Sequence, residues 1–271
     1  MILKPKVSKM RTRKPRRTEA EDGPIAIDHW PRLSDEMVLF ILGFLPQKDL
    51  VKVSLINRRM RKLSRDDSLW KELTLDYEDI KQCADSCRRL VERCKKLASL
   101  KITNSNHNQR PLNIMSVVIR AKDRLKLLEI DSSIRKWTDA ALSKLGQMKE
   151  LKSITLSVDG TNDKYGMQQL IKLQQLEVLC VRTSVGKMAT VRNELLHFKK
   201  LKEVDIEIAS ANIVALLRRN NPDLKILRLQ YWGKRYADGA CTYLHISNDA
   251  QLDVIRSENP GIDIQRSYYY V

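Results

Sequence analysis

Four histidines, five cysteines and nine glycines are the residues from which a catalytic or metal centre could be assembled in this chain. His29, His107, His197 and His245 are scattered, and no glycine loop of the kind that cradles phosphate is present. Cys83, Cys87 and Cys94 are separated by four and seven residues, which sets three sulfurs on one face of a helix without a matching fourth ligand. A buried core face accounts better for that spacing. Cys180 has no identifiable base partner. The chain is therefore expected not to be an enzyme and to need neither metal nor cofactor.

The remaining chemistry is that of charge and apolar surface. The net charge of +17 is unevenly placed: residues 1–24 carry 8 Lys/Arg against 3 Asp/Glu, residues 25–85 carry 10 against 11, and residues 86–271 carry 32 against 19. The first segment mixes charge and proline with almost no apolar residue and is expected to be a disordered tail. Its cluster Arg11, Arg13, Lys14, Arg16 and Arg17 has the composition of a nuclear-import signal or a nucleic-acid contact, although a merely solvated tail looks the same. An odd number of cysteines fits free thiols in a reducing compartment. No signal peptide or membrane span is read, so the expected location is nuclear and/or cytoplasmic, with no membrane partner.

The neutral segment holds the longest apolar run, Met37 to Leu45, far too short for a bilayer. Ser34 can cap a helix whose first turn carries Asp35 and Glu36, and Pro46 stops it, so a helix is predicted up to Leu45. Two further segments follow, "QKDLVKVSLIN" with Leu50, Val51, Val53, Leu55 and Ile56, and "RRMRKLSRDDSLW" with Met60, Leu63, Leu69 and Trp70. Three short helices cannot cover so much apolar surface alone, and part of it is expected to be an interface.

"WPRLSDEMVLFILGFLPQKDLVKVSLINRRMRKLSRDDSLWKELTL" resembles an F-box, the module that attaches substrate receptors to the Skp adaptor of Skp/cullin/F-box ubiquitin ligases. Leu33, Asp35, Glu36, Ile41, Leu45, Pro46, Asp49, Leu50, Val53, Leu55, Ile56, Arg58, Arg59 and Ser68 to Trp70 carry the likeness. Ser34, Asn57 and Met60 depart from it; Ser34 and Asn57 can still cap helices. The resemblance implies an adaptor-binding set of Leu33, Glu36, Ile41, Leu45, Pro46, Leu50, Val53, Leu55, Ile56 and Trp70.

Beyond Trp70 a short pattern recurs: leucine, two residues, leucine, one residue, leucine, with Ile or Val substituting. It ends at Leu75, Ile102, Ile130, Leu156, Val181, Ile206 and Leu229, in steps of 27, 28, 26, 25, 25 and 23 residues. Those steps match leucine-rich repeats. Helix-like segments intervene, and a last strand is predicted at Ile262 and Ile264. The expected fold is α/β: a three-helix F-box at residues 28–70 capping a curved leucine-rich-repeat solenoid over residues 71–271, with parallel strands on the concave side and helices on the convex side. The whole resembles the F-box proteins with leucine-rich repeats, Skp-two-like in layout.

Residues alternating with the repeat leucines should share the other face of the sheet. Among them Glu129, Asp131, Glu203, Asp205 and Glu207 would favour a basic target segment, whereas Lys101, Arg182 and Arg228 would favour an acidic or phosphorylated one. Strand charges that only keep a sheet soluble would have the same pattern. Trp232 lies in "YWGKRYADGACTYLHI", whose aromatics suit either recognition or a capping loop. The resemblance implies a receptor whose partners are the Skp adaptor, cullin through it, and a protein substrate; no homo-oligomer is expected. The alternatives are a non-catalytic interaction scaffold and a nucleic-acid-associated protein using the basic tail, although nucleic acid is not the favoured partner.

Overall fold

The computed structural model describes residues 32–104, 114–131, 137, 139–158, 168–183, 195–206, 211–235, 241–243 and 249–270. The cluster Arg11, Arg13, Lys14, Arg16 and Arg17 lies outside them, as does Glu207, and for Arg182 and Trp232 only the backbone is described.

Three short helices open the fold: α1 (Asp35–Leu42), α2 (Gln47–Val53) and α3 (Arg58–Leu63). Ser34 Oγ accepts the Met37 N–H at 3.3 Å, and Asn57 Oδ1 accepts the Met60 N–H at 2.8 Å, so both residues that depart from the usual pattern satisfy helix N-termini. Helix α1 ends at Leu42, not at Leu45. The N–H groups of Phe44 and Leu45 bond only three residues back, to Ile41 and Leu42, tightening the turn before Pro46, whose ring disfavours helical geometry at the residue it follows. A 3-10 turn, Asp67–Trp70, leads into the sheet.

Strands β1 (Glu72–Asp76), β2 (Ser99–Thr103), β3 (Leu127–Ile130), β4 (Ser153–Val158), β5 (Val178–Thr183), β6 (Glu203–Ile206) and β7 (Ile226–Arg235) pair side by side in chain order, all parallel. The short β8 (Cys241–Tyr243) pairs antiparallel with the end of β7, and β9 (Asp263–Tyr270) joins β7 as an eighth parallel strand. Helices α4 (Tyr77–Arg93), α5 (Met115–Val118), α6 (Asp139–Leu145), α7 (Ala211–Asn220) and α8 (Asp249–Glu258) lie in five of the seven parallel crossovers, β1–β2, β2–β3, β3–β4, β6–β7 and β7–β9.

Register follows directly from the sequence pattern. Leu73, Leu100, Leu128, Ile154, Leu179, Val204, Leu227 and Ile264 occupy one rung, and every one is buried. Just before each of strands β1 to β6 a single carbonyl accepts two successive N–H groups at the start of the next strand in the sheet. Lys71 O takes those of Ala98 and Ser99, and the arrangement recurs at Ala98, Lys126, Lys152, Glu177 and Lys202. Buried Asn221 closes α7 onto this ladder: its Nδ2 donates to Leu217 O at 3.0 Å and its Oδ1 accepts the Leu201 N–H at 2.8 Å. One continuous apolar core runs from Val38 in α1 to Ile264 in β9.

The segment carrying Trp232 is not a loop departing from the strands. Its first part prolongs β7 to Arg235, and residues 226–233 pair with residues 263–270, so the tyrosines of the C-terminal run lie in β9.

Candidate functional site

Helices α1 to α3 expose a set of large apolar side chains that their own packing leaves open. Val38 and Leu42 point inward with Leu50, Met60, Leu63 and Trp70. The opposite side of α1 presents Met37, Phe40 and Ile41, followed in the turn by Phe44; Phe40 and Phe44 are 71% and 73% exposed. Val51 in α2 and Leu55 and Ile56 in the next turn extend the same kind of surface. Phe40 and Phe44 meet edge to face with centroids 5.0 Å apart. Gly43 lies between them in right-handed helical backbone, where a Cβ would stand 3.2 Å from the Phe40 carbonyl oxygen.

The exposed set is held on a braced frame. Arg59 of α3 reaches back to α1, its Nε donating to Asp35 Oδ1 at 2.9 Å and its guanidinium pairing with the same carboxylate at 2.8 Å. The Glu36 carboxyl lies below its ordinary range because the backbone N–H it accepts and the Ser34 hydroxyl both favour the ionised form. Trp70 Nε1 donates to Ser64 O at 2.8 Å, and the Arg93 guanidinium of α4 lies 5.0 Å from the Trp70 ring centre. Asp67 Oδ1 accepts the Lys95 N–H at 3.1 Å. The frame is thereby fixed to the start of the sheet.

Of the residues expected to contact an adaptor, Glu36, Ile41, Pro46, Leu55 and Ile56 are exposed, and Leu33, Leu45 and Val53 are half-buried against the core. Leu50 and Trp70, also expected to contact an adaptor, are buried at 2% and 3% exposure and support the surface from beneath. Met37, Phe40, Phe44 and Val51 were not singled out by sequence. In a run where nearly every residue is apolar, hydrophobicity carries no phase. Helical spacing from Val38 and Leu42 would have found them.

Several of the charges expected to face a target on the sheet pair with one another. Lys101 Nζ and Glu129 Oε1 are 2.7 Å apart, and Arg228 pairs with Glu203 while its Nε donates to Gln265 at 3.0 Å. Parallel in-register pairing sets Lys101 beside Glu129 and Asp205 beside Arg228, so opposite charges neutralise one another across strands. Asp205 is 7% exposed, and Asp131 is half-buried with a partner of its own. Among the described residues no cluster of His, Cys, Asp or Glu could hold a metal ion, and no helix is long and apolar enough to cross a membrane.

Residues 30–76 match the F-box-like family, a span that contains α1 to α3 and β1. The chain thus carries an F-box-like domain, and such domains generally bind the Skp adaptor. No curated protein matches the chain.

Proposed function

We propose that the protein is a non-catalytic substrate receptor of a Skp/cullin/F-box ubiquitin ligase. Helices α1 to α3 dock on the Skp adaptor, cullin joins through it, and the remainder of the chain holds a protein target for ubiquitination. The observation that carries this is a coincidence of place: the exposed apolar set of Met37, Phe40, Ile41, Phe44, Val51, Leu55 and Ile56 falls within the span matched by the F-box-like family. Fully covering one such side chain contributes about 1.5–3 kcal/mol, so a partner seated here gains far more than from the same area of polar surface.

The parallel strands in chain order, with buried leucines on one rung and steps of 23 to 28 residues, support a leucine-rich-repeat reading of residues 71–271. The chain's own contribution is proximity, raising the local concentration of target lysines beside the conjugating machinery. A nuclear and/or cytoplasmic location belongs to the same proposal.

The test is adaptor binding by the full chain beside Phe40→Ser with Phe44→Ser, with circular dichroism as the folding control. Binding by the wild type that the variant loses while staying folded upholds the proposal. A folded wild type that does not bind the adaptor overturns it in favour of an interaction scaffold.

A further inference from the structure

We propose that the edge of the sheet where the strands begin is a second binding surface, fitted to an acidic segment of protein. In a parallel sheet every helix-to-strand turn arrives at one edge. The turns at residues 94–98, 122–126, 147–152, 172–177, 199–202 and 221–225 carry twelve Lys or Arg against four acids, Asp123, Glu150, Glu177 and Asp223. The carbonyl ladder fixes the residue before each strand in one column, which puts Lys126, Lys152, Lys202 and Lys225 at the strand spacing of about 4.8 Å per step, with Glu177 at its centre.

These four lysines are exposed. Lys152 and Lys202 share the Glu177 carboxylate at 2.8 and 2.6 Å, whereas Lys126 and Lys225, together with the neighbouring Lys149 and Lys199, have no acidic partner among the described residues. Described charges on the sheet's strand face behave differently, since Lys101 and Arg228 are already paired there. Free positive charge is thus concentrated on the edge.

Two observations favour protein over nucleic acid. These turns hold no aromatic side chain on which a base could stack. The column is also of mixed sign: a phosphate strand laid along it would pass the Glu177 carboxylate between Lys152 and Lys202, whereas a protein segment can set a donor there. The inference rests on the receptor reading for its biological sense, with the acidic segment belonging to the target, but the binding itself can be tested without it.

The probes are a labelled poly-glutamate peptide and a DNA duplex of equal charge, titrated by fluorescence anisotropy against the full chain. The chain is compared with Lys126→Ala, Lys152→Ala, Lys202→Ala and Lys225→Ala combined, and with a control carrying the same charge loss at Lys48, Arg58, Lys62 and Arg65. Peptide affinity is expected to fall about tenfold or more in the edge variant and to change little in the control, with the duplex bound more weakly than the peptide. Glu177→Gln, which frees two ammonium groups, is expected to bind the peptide several-fold more tightly, a gain that misfolding cannot imitate. Equal losses in the edge variant and the control overturn the proposal in favour of net charge alone, and a duplex bound as tightly as the peptide overturns it in favour of nucleic acid. Adaptor binding measured on the same edge variant is expected to be unchanged, so failure of this inference and failure of the receptor reading remain distinguishable.

Discussion

Gln47 lies against Thr74 as another strand would: its Oε1 accepts the Thr74 N–H at 3.0 Å while its Nε2 donates to the carbonyl of Glu72 at 2.6 Å. These groups belong to the outer edge of β1, which among the described residues has a strand neighbour on one side only. An unpaired edge invites association with other chains, and a side-chain carboxamide from α2 occupies part of this one.

Gln47→Ala is therefore expected to lower stability by about 1 kcal/mol, since water can replace both bonds at an exposed edge. For a chain of this size that corresponds to a fall of about 2–4 °C in Tm. Thermal unfolding followed by circular dichroism checks it, and light scattering is expected to report more self-association in the variant. An unchanged Tm would mean that the Gln47 bonds contribute nothing.

Buried and exposed members of the F-box-like segment should separate into two phenotypes. Leu50→Ala is expected to cost about 2–5 kcal/mol in stability because it empties part of the core. Phe40→Ala and Leu55→Ala are expected to stay within about 0.5 kcal/mol of the wild type in stability while weakening adaptor binding. Urea unfolding and calorimetric titration on the same three variants decide the matter. Comparable destabilisation by all three would contradict the assignment of inner and outer faces.

The Glu177 carboxyl is held at about 2, well below its ordinary 4.5, chiefly by hydrogen bonds from Lys152 and then Lys202. A depressed folded-state value means stability that is fully present above the unfolded value and is lost as pH falls from about 4.5 towards 2. The stability difference between wild type and Glu177→Gln is expected to shrink across that window, and to be small throughout because the group is open to solvent and screened by salt. A difference that stays constant between pH 6 and pH 3 (roughly the range over which protonation begins to matter) would remove the pairing from the account.

Gly146 tests the close packing behind the sheet. A Cβ at this position would stand 2.7 Å from the carbonyl oxygen of Gln169, a contact that backbone must move to relieve. Gly146→Ala is expected to destabilise by about 1–3 kcal/mol, because the added methyl group overpacks a backbone contact. Chemical denaturation measures it, and a variant as stable as the wild type would show that the two turns are free to separate.

Much of the architecture could be read from sequence because the repeat carries its own phase. Leucines at fixed places in each unit define the buried rung, and the step lengths between units match the spacing of the carbonyl ladder. The outer face of α1 could not be read in the same way: in "EMVLFIL" nearly every residue is apolar, so only packing against α3, distant in the chain, decides that Val38 goes in and Phe40 stays out. The pairing of the sheet charges was hidden for a different reason. Lys101 and Glu129 look like separate recognition groups in the sequence, yet they stand 28 residues apart, the same step that separates Ile102 from Ile130. Charges one unit apart are neighbours before they are recognition elements. Leu50 and Trp70 illustrate the limit of a family pattern, since a residue can belong to a motif because it builds the surface and not because it lies on it.

The carbonyl ladder also says how this chain can change over evolutionary time. Because Lys71, Ala98, Lys126, Lys152, Glu177 and Lys202 each receive the start of the following strand in the same way, the sheet edge keeps a fixed grammar while the units between differ by up to five residues. A whole unit can be gained or lost with every remaining strand still meeting a proper neighbour. A single residue inserted between Lys126 and Leu127 would instead turn Leu128 and Ile130 out of the core, because strand side chains alternate. Length is free where the chain returns through its helices and forbidden where it enters a strand, so lineages of this protein can lengthen or shorten the sheet in whole steps.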